Sequence, residues 1–206
     1  MIRLGLPALI KMATFLGDIR SSGEPIERQD EVPPMAPRLQ PLPEATAKSL
    51  IDIAGVGESG TTVQLHLRGI SVEETVVDNE GSFEFKGVHL REGENEIYVV
   101  ARDDVGNKSD DSQTWMVTLD MSLPVLGLDQ PKNGDRFFDK DSPITVKGTA
   151  EEEADLTVNG RFVMVKSDGS WETTINLSEG DNEIEVKAVD AAENETIKRA
   201  VVNYTP

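Results

Sequence analysis

The stretch EGENEIYVVARDDVGN, residues 92–107, returns 87 residues later as EGDNEIEVKAVDAAEN, residues 179–194. Nine of the 16 positions are identical without a gap. Self-similarity at this distance constrains the chain strongly, because a fold that suits one copy must suit the other. Each copy places a glycine free to take positive φ (Gly93, Gly180) two residues before an asparagine suited to tight turns (Asn95, Asn182). Apolar residues then alternate, as Ile97, Val99, Ala101 and as Ile184, Val186, Ala188. Period two means a strand with one buried face. Asp103 and Asp190 close the strand, and Asn107 and Asn194 follow four residues on as turn residues.

The echo runs further in both directions. IDIAGVGE (51–58) matches ITVKGTAE (144–151), and DNEGSFEF (78–85) matches KSDGSWET (166–173), which aligns Gly55 with Gly148 and Phe83 with Trp171. PRL at 37–39 precedes PVL at 124–126 by 87 residues. Offsets fall from 93 to 88 across the middle, so the first copy carries about five extra residues near RGISVEET, where a loop or strand end absorbs them. In the second copy the pattern predicts seven strands, at 125–128, 144–149, 155–158, 161–166, 171–177, 182–189 and 197–204. Asn159–Gly160 suits a two-residue hairpin turn, and Asp168–Gly169 supplies another. Many short alternating strands, turn signals every few residues and no helical period predict an all-β protein of two tandem β-sandwiches.

The residues that carry this pattern also resemble a known family. SPITVKGTAEEEADLTVNGRF followed by DGSWETTINLSEGDNEIEVKAVDAAEN is similar to the bacterial immunoglobulin-like domains related to domain B of glucodextranase. The resemblance covers about 170 of the 206 residues and implies an immunoglobulin-like sandwich for 37–120 and for 121–206. The second copy departs from the family pattern at Glu193, where glycine is usual; the first keeps it as Gly106. The resemblance implies structural modules repeated along bacterial surface and secreted proteins, and no catalytic residues.

The start of the chain differs in character. Residues 1–18 hold about 13 mostly apolar positions between Leu4 and Leu16, interrupted by Lys11, where a spanning helix needs roughly 20. No small-x-small cleavage site follows. This segment is expected to be a short apolar helix and the remnant of a membrane anchor, the one part of the chain in contact with a membrane. Residues 19–36 open a proline-rich stretch, with five prolines from Pro25 to Pro41, which holds backbone extended and semi-rigid as a linker.

Charge and composition remove several functions. The chain carries 38 acidic against 20 basic residues, a net charge of −18, which disfavours nucleic-acid binding. Cysteine is absent, so thiol nucleophiles, disulfides and thiolate metal sites are excluded. His66 lies out of phase with Val63, Leu65 and Leu67 and is expected to face solvent; His89 has no evident partner. The expectation is that the chain is not an enzyme. Calcium is the one cofactor with material in the sequence, since loops rich in aspartate and asparagine can supply its six to eight oxygens. The candidate ligands are Asp103, Asp104, Asn107, Asp110 and Asp111, and then Asp135, Asp139 and Asp141. Turn capping explains the same residues without an ion, and the reading here is no cofactor. The connection at 119–124 is short, so loops at the facing ends of the sandwiches must approach each other. If the two aspartate clusters met there, a divalent cation would close the joint. Four Asn-x-Ser/Thr sequons (Asn107, Asn176, Asn194, Asn203) carry little weight in so turn-rich a chain.

These features predict a non-catalytic structural, adhesion or spacer protein, displayed on the cell surface or outside the cell and tethered at its N-terminus. The alternative is a carbohydrate-binding accessory module of a surface or secreted polysaccharide-processing system, with Trp115 or Trp171 exposed as a sugar platform. A third reading is assembly through sheet edges. Partners under these readings are a surface polysaccharide or a protein ligand. Trp171 and Phe83 occupy one repeat position on alternating strands, and Trp115 shares parity with Val117 and Leu119, so core burial is the expectation for each.

Overall fold

The computed structural model describes residues 31–206. The expected apolar helix at 1–18 and the linker up to residue 30 lie outside the described residues. No helix among the described residues is long and apolar enough to cross a membrane.

Two all-β sandwiches follow one another, and the repeat in sequence is a repeat in topology. The first contains β1 (Arg38–Leu39), β2 (Ala45–Thr46), β3 (Leu50–Val56), β4 (Thr62–Leu67), β5 (Ile70–Val76), β6 (Ser82–His89), β7 (Gly93–Arg102) and β8 (Trp115–Leu119). The second contains β9 (Leu126–Gln130), β10 (Arg136–Phe138), β11 (Ile144–Ala150), β12 (Asp155–Val158), β13 (Arg161–Val163), β14 (Ser170–Ile175), β15 (Gly180–Val189) and β16 (Glu195–Thr205). A three-stranded sheet β1-β3-β6 faces a five-stranded sheet β2-β8-β7-β4-β5; the second domain repeats this as β9-β11-β14 and β10-β16-β15-β12-β13.

Each domain thus has eight strands where the pattern predicts seven. The extra element comes from the first strand, which starts in one sheet and finishes in the other, where β2 and β10 run parallel to β8 and β16. Proline explains the crossing. Pro41 and Pro43 lie between β1 and β2, and Pro131 lies between β9 and β10. A residue without an amide hydrogen interrupts the ladder and frees the chain to change sheets. The five extra residues of the first copy fall in the β4–β5 hairpin, whose strands are six and seven residues long against four and three in β12 and β13. Asn159 (φ 47°) and Gly160 (φ 75°) make the expected tight turn between β12 and β13.

Alternation places one face of every long strand inside. Ile53, Val63, Leu65, Phe85, Ile97, Val99 and Val117 are almost fully buried in the first core, and Val146, Leu156, Trp171, Ile184, Val186 and Val202 in the second. Phe83 and Trp171 are both buried as expected, and each presses on the glycine that the repeat aligns with it. A Cβ on Gly55 would collide with the Phe83 ring and lie 2.6 Å from the Arg38 carbonyl oxygen. On Gly148 it would collide with the Gly127 carbonyl and approach the Trp171 ring at 2.9 Å. The repeated glycine is the space through which the first strand and a core aromatic close on β3 and β11.

Candidate functional site

The signature stretch builds two hydrogen-bonded corners in each domain. At the start of β7, Asn95 is fully buried. Its Oδ1 accepts from the Arg91 backbone N–H at 3.0 Å, and its Nδ2 donates to the carbonyls of Arg91, Gly93 and Val117. Asn182 repeats this at β15 with Ser178 and Gly180. The asparagine is therefore an internal clamp that holds the incoming loop to the sheet, and not a turn residue alone. The side-chain amide of Asn95 thus has both its oxygen and its nitrogen partnered although it is buried.

At the end of β7 the turn is closed by a carboxylate. Asp103 Oδ1 accepts from the backbone N–H groups of Val105, Gly106 and Asn107, while Oδ2 accepts from Asn107 Nδ2 at 2.8 Å. Asp190 takes the same place with Ala192 and Asn194. Desolvation pushes the Asp103 pKa up, but hydrogen bonds from Asn107, Gly106 and Val105 together outweigh it and leave it below the ordinary aspartate value. Both turns need a residue at positive φ. It is Gly106 at 99° in the first domain and Glu193 at 68° in the second.

This geometry locates the calcium candidates. Asp103 spends its oxygens on its own turn. Asp104, Asp110 and Asp111 are exposed on the following loop, and Asn107 donates its amide to Asp103. Asp135 accepts from the Lys132 N–H and Asp141 from the Phe138 N–H, both at 2.7 Å; Asp139 lies between, at φ 40°. Among the described residues no group of three or more histidine, cysteine or acidic side chains is arranged to hold a metal ion. Of the sequon asparagines, Asn107, Asn194 and Asn203 each donate their amide to an aspartate.

The two clusters do not meet at the joint. Gly93 pairs with Leu119, next to the connection, so β7 carries the Asp103 turn to the opposite end of the first domain. In the second domain β16 leaves the joint at Glu195, and Phe138 pairs with Thr205 at its far end, so the Asp139–Asp141 turn lies away from the joint too. The joint is made by other groups. Ala47 N–H donates to the Ala192 carbonyl at 2.9 Å. Asn194 Nδ2 donates to the Asp120 carbonyl at 2.9 Å, and Thr196 Oγ1 to the Pro124 carbonyl at 2.7 Å. Asp120 N–H also reaches back to the Thr46 carbonyl. A cleft of about 570 Å³ remains between the segment from β2 to the start of β3 and Ala191, Ala192 and Glu193. The second copy of the carboxylate-closed turn is therefore the part of the second domain that grips the first.

Two side chains differ from expectation. His66 does not stand free in solvent. It is half-buried on the outer face of β4, and its ring stacks on Tyr98 of β7, its cross-strand neighbour, with centroids 4.7 Å apart and planes 12° apart. Trp115, on the core side of β8, is only partly buried and packs at the edge of the first core.

Comparison with known proteins agrees with this architecture. Residues 34–117 match the family described as Bacterial Ig domain, and residues 124–205 match Glucodextranase, domain B. Bacillopeptidase F of Bacillus subtilis (strain 168) is 37% identical over 160 residues, which are 77% of this chain and 11% of that protein. The chain thus spans about a ninth of the length of the curated relative it matches. The fibronectin(III)-like modules of Clostridium thermocellum CbhA superpose with a TM-score of 0.51 at 18% identity, covering 85% of this chain and 92% of theirs, a likeness of fold.

Proposed function

We propose that this chain, a tandem of two bacterial immunoglobulin-like domains, is a non-catalytic extracellular spacer or adhesion element that holds its sandwiches as one rigid unit. The joint carries the reading. A flexible tether needs no hydrogen bonds between neighbouring domains, whereas here three elements of the second domain's turn and strand hold the first domain and the connecting segment. Pro124 is buried and fixes φ where the connection enters the second domain. Rigid joints keep successive modules extended, which suits projection from a surface. Tethering through residues 1–18 belongs to the same proposal, as does a role beside a larger peptidase, which the relative's name supports.

The test uses the absence of cysteine. Glu84→Cys and Glu172→Cys introduce a label on an exposed strand position of each domain. Electron double resonance is expected to show one narrow distance distribution; a broad one would remove the rigid-spacer reading. Removing residues 2–18 should release the protein from the membrane fraction into the soluble one. The carbohydrate-binding alternative has lost its platform at Trp171, which is 1% exposed. Micromolar glycan binding by the unmodified chain would restore it.

A further inference from the structure

The second domain folds without the extra residues that lengthen the β4–β5 hairpin of the first, so the fold does not require them. What they build is a strand edge. β5 ends the five-stranded sheet of the first domain, and among the described residues its backbone pairs with β4 alone. Alternate residues of an antiparallel edge strand turn their N–H and C=O groups away from the sheet, where they offer a template for one more strand. The counterpart β13 has three residues and begins with Arg161, which blunts that edge. β5 has seven residues, four of them β-branched, with neither lysine nor proline. Ile70, Val72 and Val76 stand exposed along it.

The guards on this edge are a bulge and two carboxylates. Leu65 pairs with Glu73 and His66 with Ser71, which leaves Val72 as the extra residue and a regular ladder from Glu73 to Val76. Successive strand residues point to opposite faces, so Glu73 and Glu74 flank the ladder one on each side. Glu74 accepts from Gln64 Nε2 at 2.6 Å and lies 4.0 Å from Arg102 Nη2. The Glu73 side chain is exposed and has no hydrogen-bond or ion-pair partner among the described residues.

We infer that the β5 edge receives an extended segment of another protein, one that carries two adjacent basic residues among β-branched ones. Backbone sets the form of the occupant: a row of amides and carbonyls at strand spacing is satisfied along its length by another strand. Charge sets its composition. Adjacent residues of the added strand fall on opposite faces, so a lysine–arginine pair meets Glu73 on one and Glu74 on the other. Opposite charges on neighbouring strands stabilise the pairing, and like charges do the reverse. A second copy of this chain does not qualify, because two β5 edges set antiparallel bring glutamates against glutamates on chains that each carry −18. The inference goes beyond the spacer reading, which needs no partner strand.

The probe is the blocked hexapeptide TVKRVT, titrated to millimolar concentration into the full isotope-labelled chain and followed by nuclear magnetic resonance. The amides of Glu73–Val76 are expected to shift, and the outward-facing ones among them to gain protection from hydrogen exchange, which ionic contact alone does not give. Glu73→Lys, at an exposed side chain, should leave melting unchanged and weaken binding at least tenfold, with Glu73→Gln in between. Salt should weaken it too, since the Debye length falls from about 10 Å at about 0.1 M to about 3 Å at about 1 M. TVEEVT should not bind. TVKRVT methylated on alternate backbone nitrogens should also fail, because it keeps the charges and loses the donors. No binding at millimolar peptide, shifts without exchange protection, equal binding of TVEEVT, or equal binding by the Glu73→Lys variant would each overturn the proposal. So would dimerisation through β5 without peptide, which would assign the edge to a second copy.

Discussion

Replacing Glu193 with glycine should stabilise the second domain. Glu193 has φ of 68° in the turn that Asp190 closes, while the matching residue of the first domain is Gly106 at 99°. A left-handed conformation costs a residue with a Cβ about 1–2 kcal/mol. Glycine avoids that cost but enlarges the unfolded ensemble, which takes back about 0.5–1 kcal/mol. The difference is a gain of about 0.5–1 kcal/mol, or roughly 2–6 °C in the melting of a domain this size. The reverse change, Gly106→Glu, should cost the first domain a similar amount, because no atom lies within 4 Å of a Cβ built there and conformation is the whole effect. Melting followed by tryptophan fluorescence in a Trp115→Phe background reports the second domain alone. Glu193→Asn controls for charge, since asparagine tolerates the conformation, and should recover about half the gain. If Glu193→Gly lowers the melting temperature, the glutamate side chain contributes contacts at the joint that exceed its backbone strain, and the reasoning fails.

Asn95→Ala removes a buried amide with four hydrogen bonds and should cost the first domain about 2–4 kcal/mol; half-exposed Asn182→Ala should cost the second only about 1–2 kcal/mol, because water replaces part of what is lost, and chemical denaturation measures both. Trp171→Ala should cost the second domain about 3–5 kcal/mol, with the first melting nearly as before. The lowered pKa of Asp103 means that its stabilising contribution is present above the unfolded value of about 3.9 and is lost as pH falls through the folded one. Asp103→Asn should therefore flatten the acid limb of the first domain's stability curve, and an unchanged limb would count against the closed turn. Calcium and magnesium at equal concentration should shift melting alike; a calcium-selective rise approaching about 2.7 kcal/mol at a hundredfold excess over the dissociation constant would mean that the aspartates bind the ion.

The sandwich was legible because alternation and turn chemistry are local. The strands around Ile97 and Ile184, the Asn159–Gly160 hairpin and burial of Trp171 all follow from residues within a few positions of one another. The crossing of the first strand between sheets was not, since two-residue strands such as Ala45–Thr46 carry no period to read. The role of Asn95 was half-visible: a Gly-x-Asn spacing marks a turn, but the Val117 carbonyl that it also binds is 22 residues away. His66 failed in the same way. Its parity correctly excluded it from the core, yet its neighbour Tyr98 comes from another strand and shields it. The joint was anticipated as a place and not in its parts, because a contact such as Ala47 to Ala192 leaves no trace in either segment alone.

One turn with two environments explains why glutamate stands at 193 where the first copy has Gly106. The first copy projects its carboxylate-closed turn at the end away from the joint, where Val105 is 59% exposed, and keeps the residue that costs least, Gly106. The second copy sets its turn against the neighbouring domain. Asp190 and Asn194 hold it from within, and Ala47 and Asp120 hold it from outside. A conformation fixed from several sides can carry a strained residue, because no single relaxation releases the strain without breaking the other contacts. Glu193 is tolerated where the joint already dictates the backbone. Its presence there, and glycine at the free end, is the pattern expected if the two domains are held together in the native state.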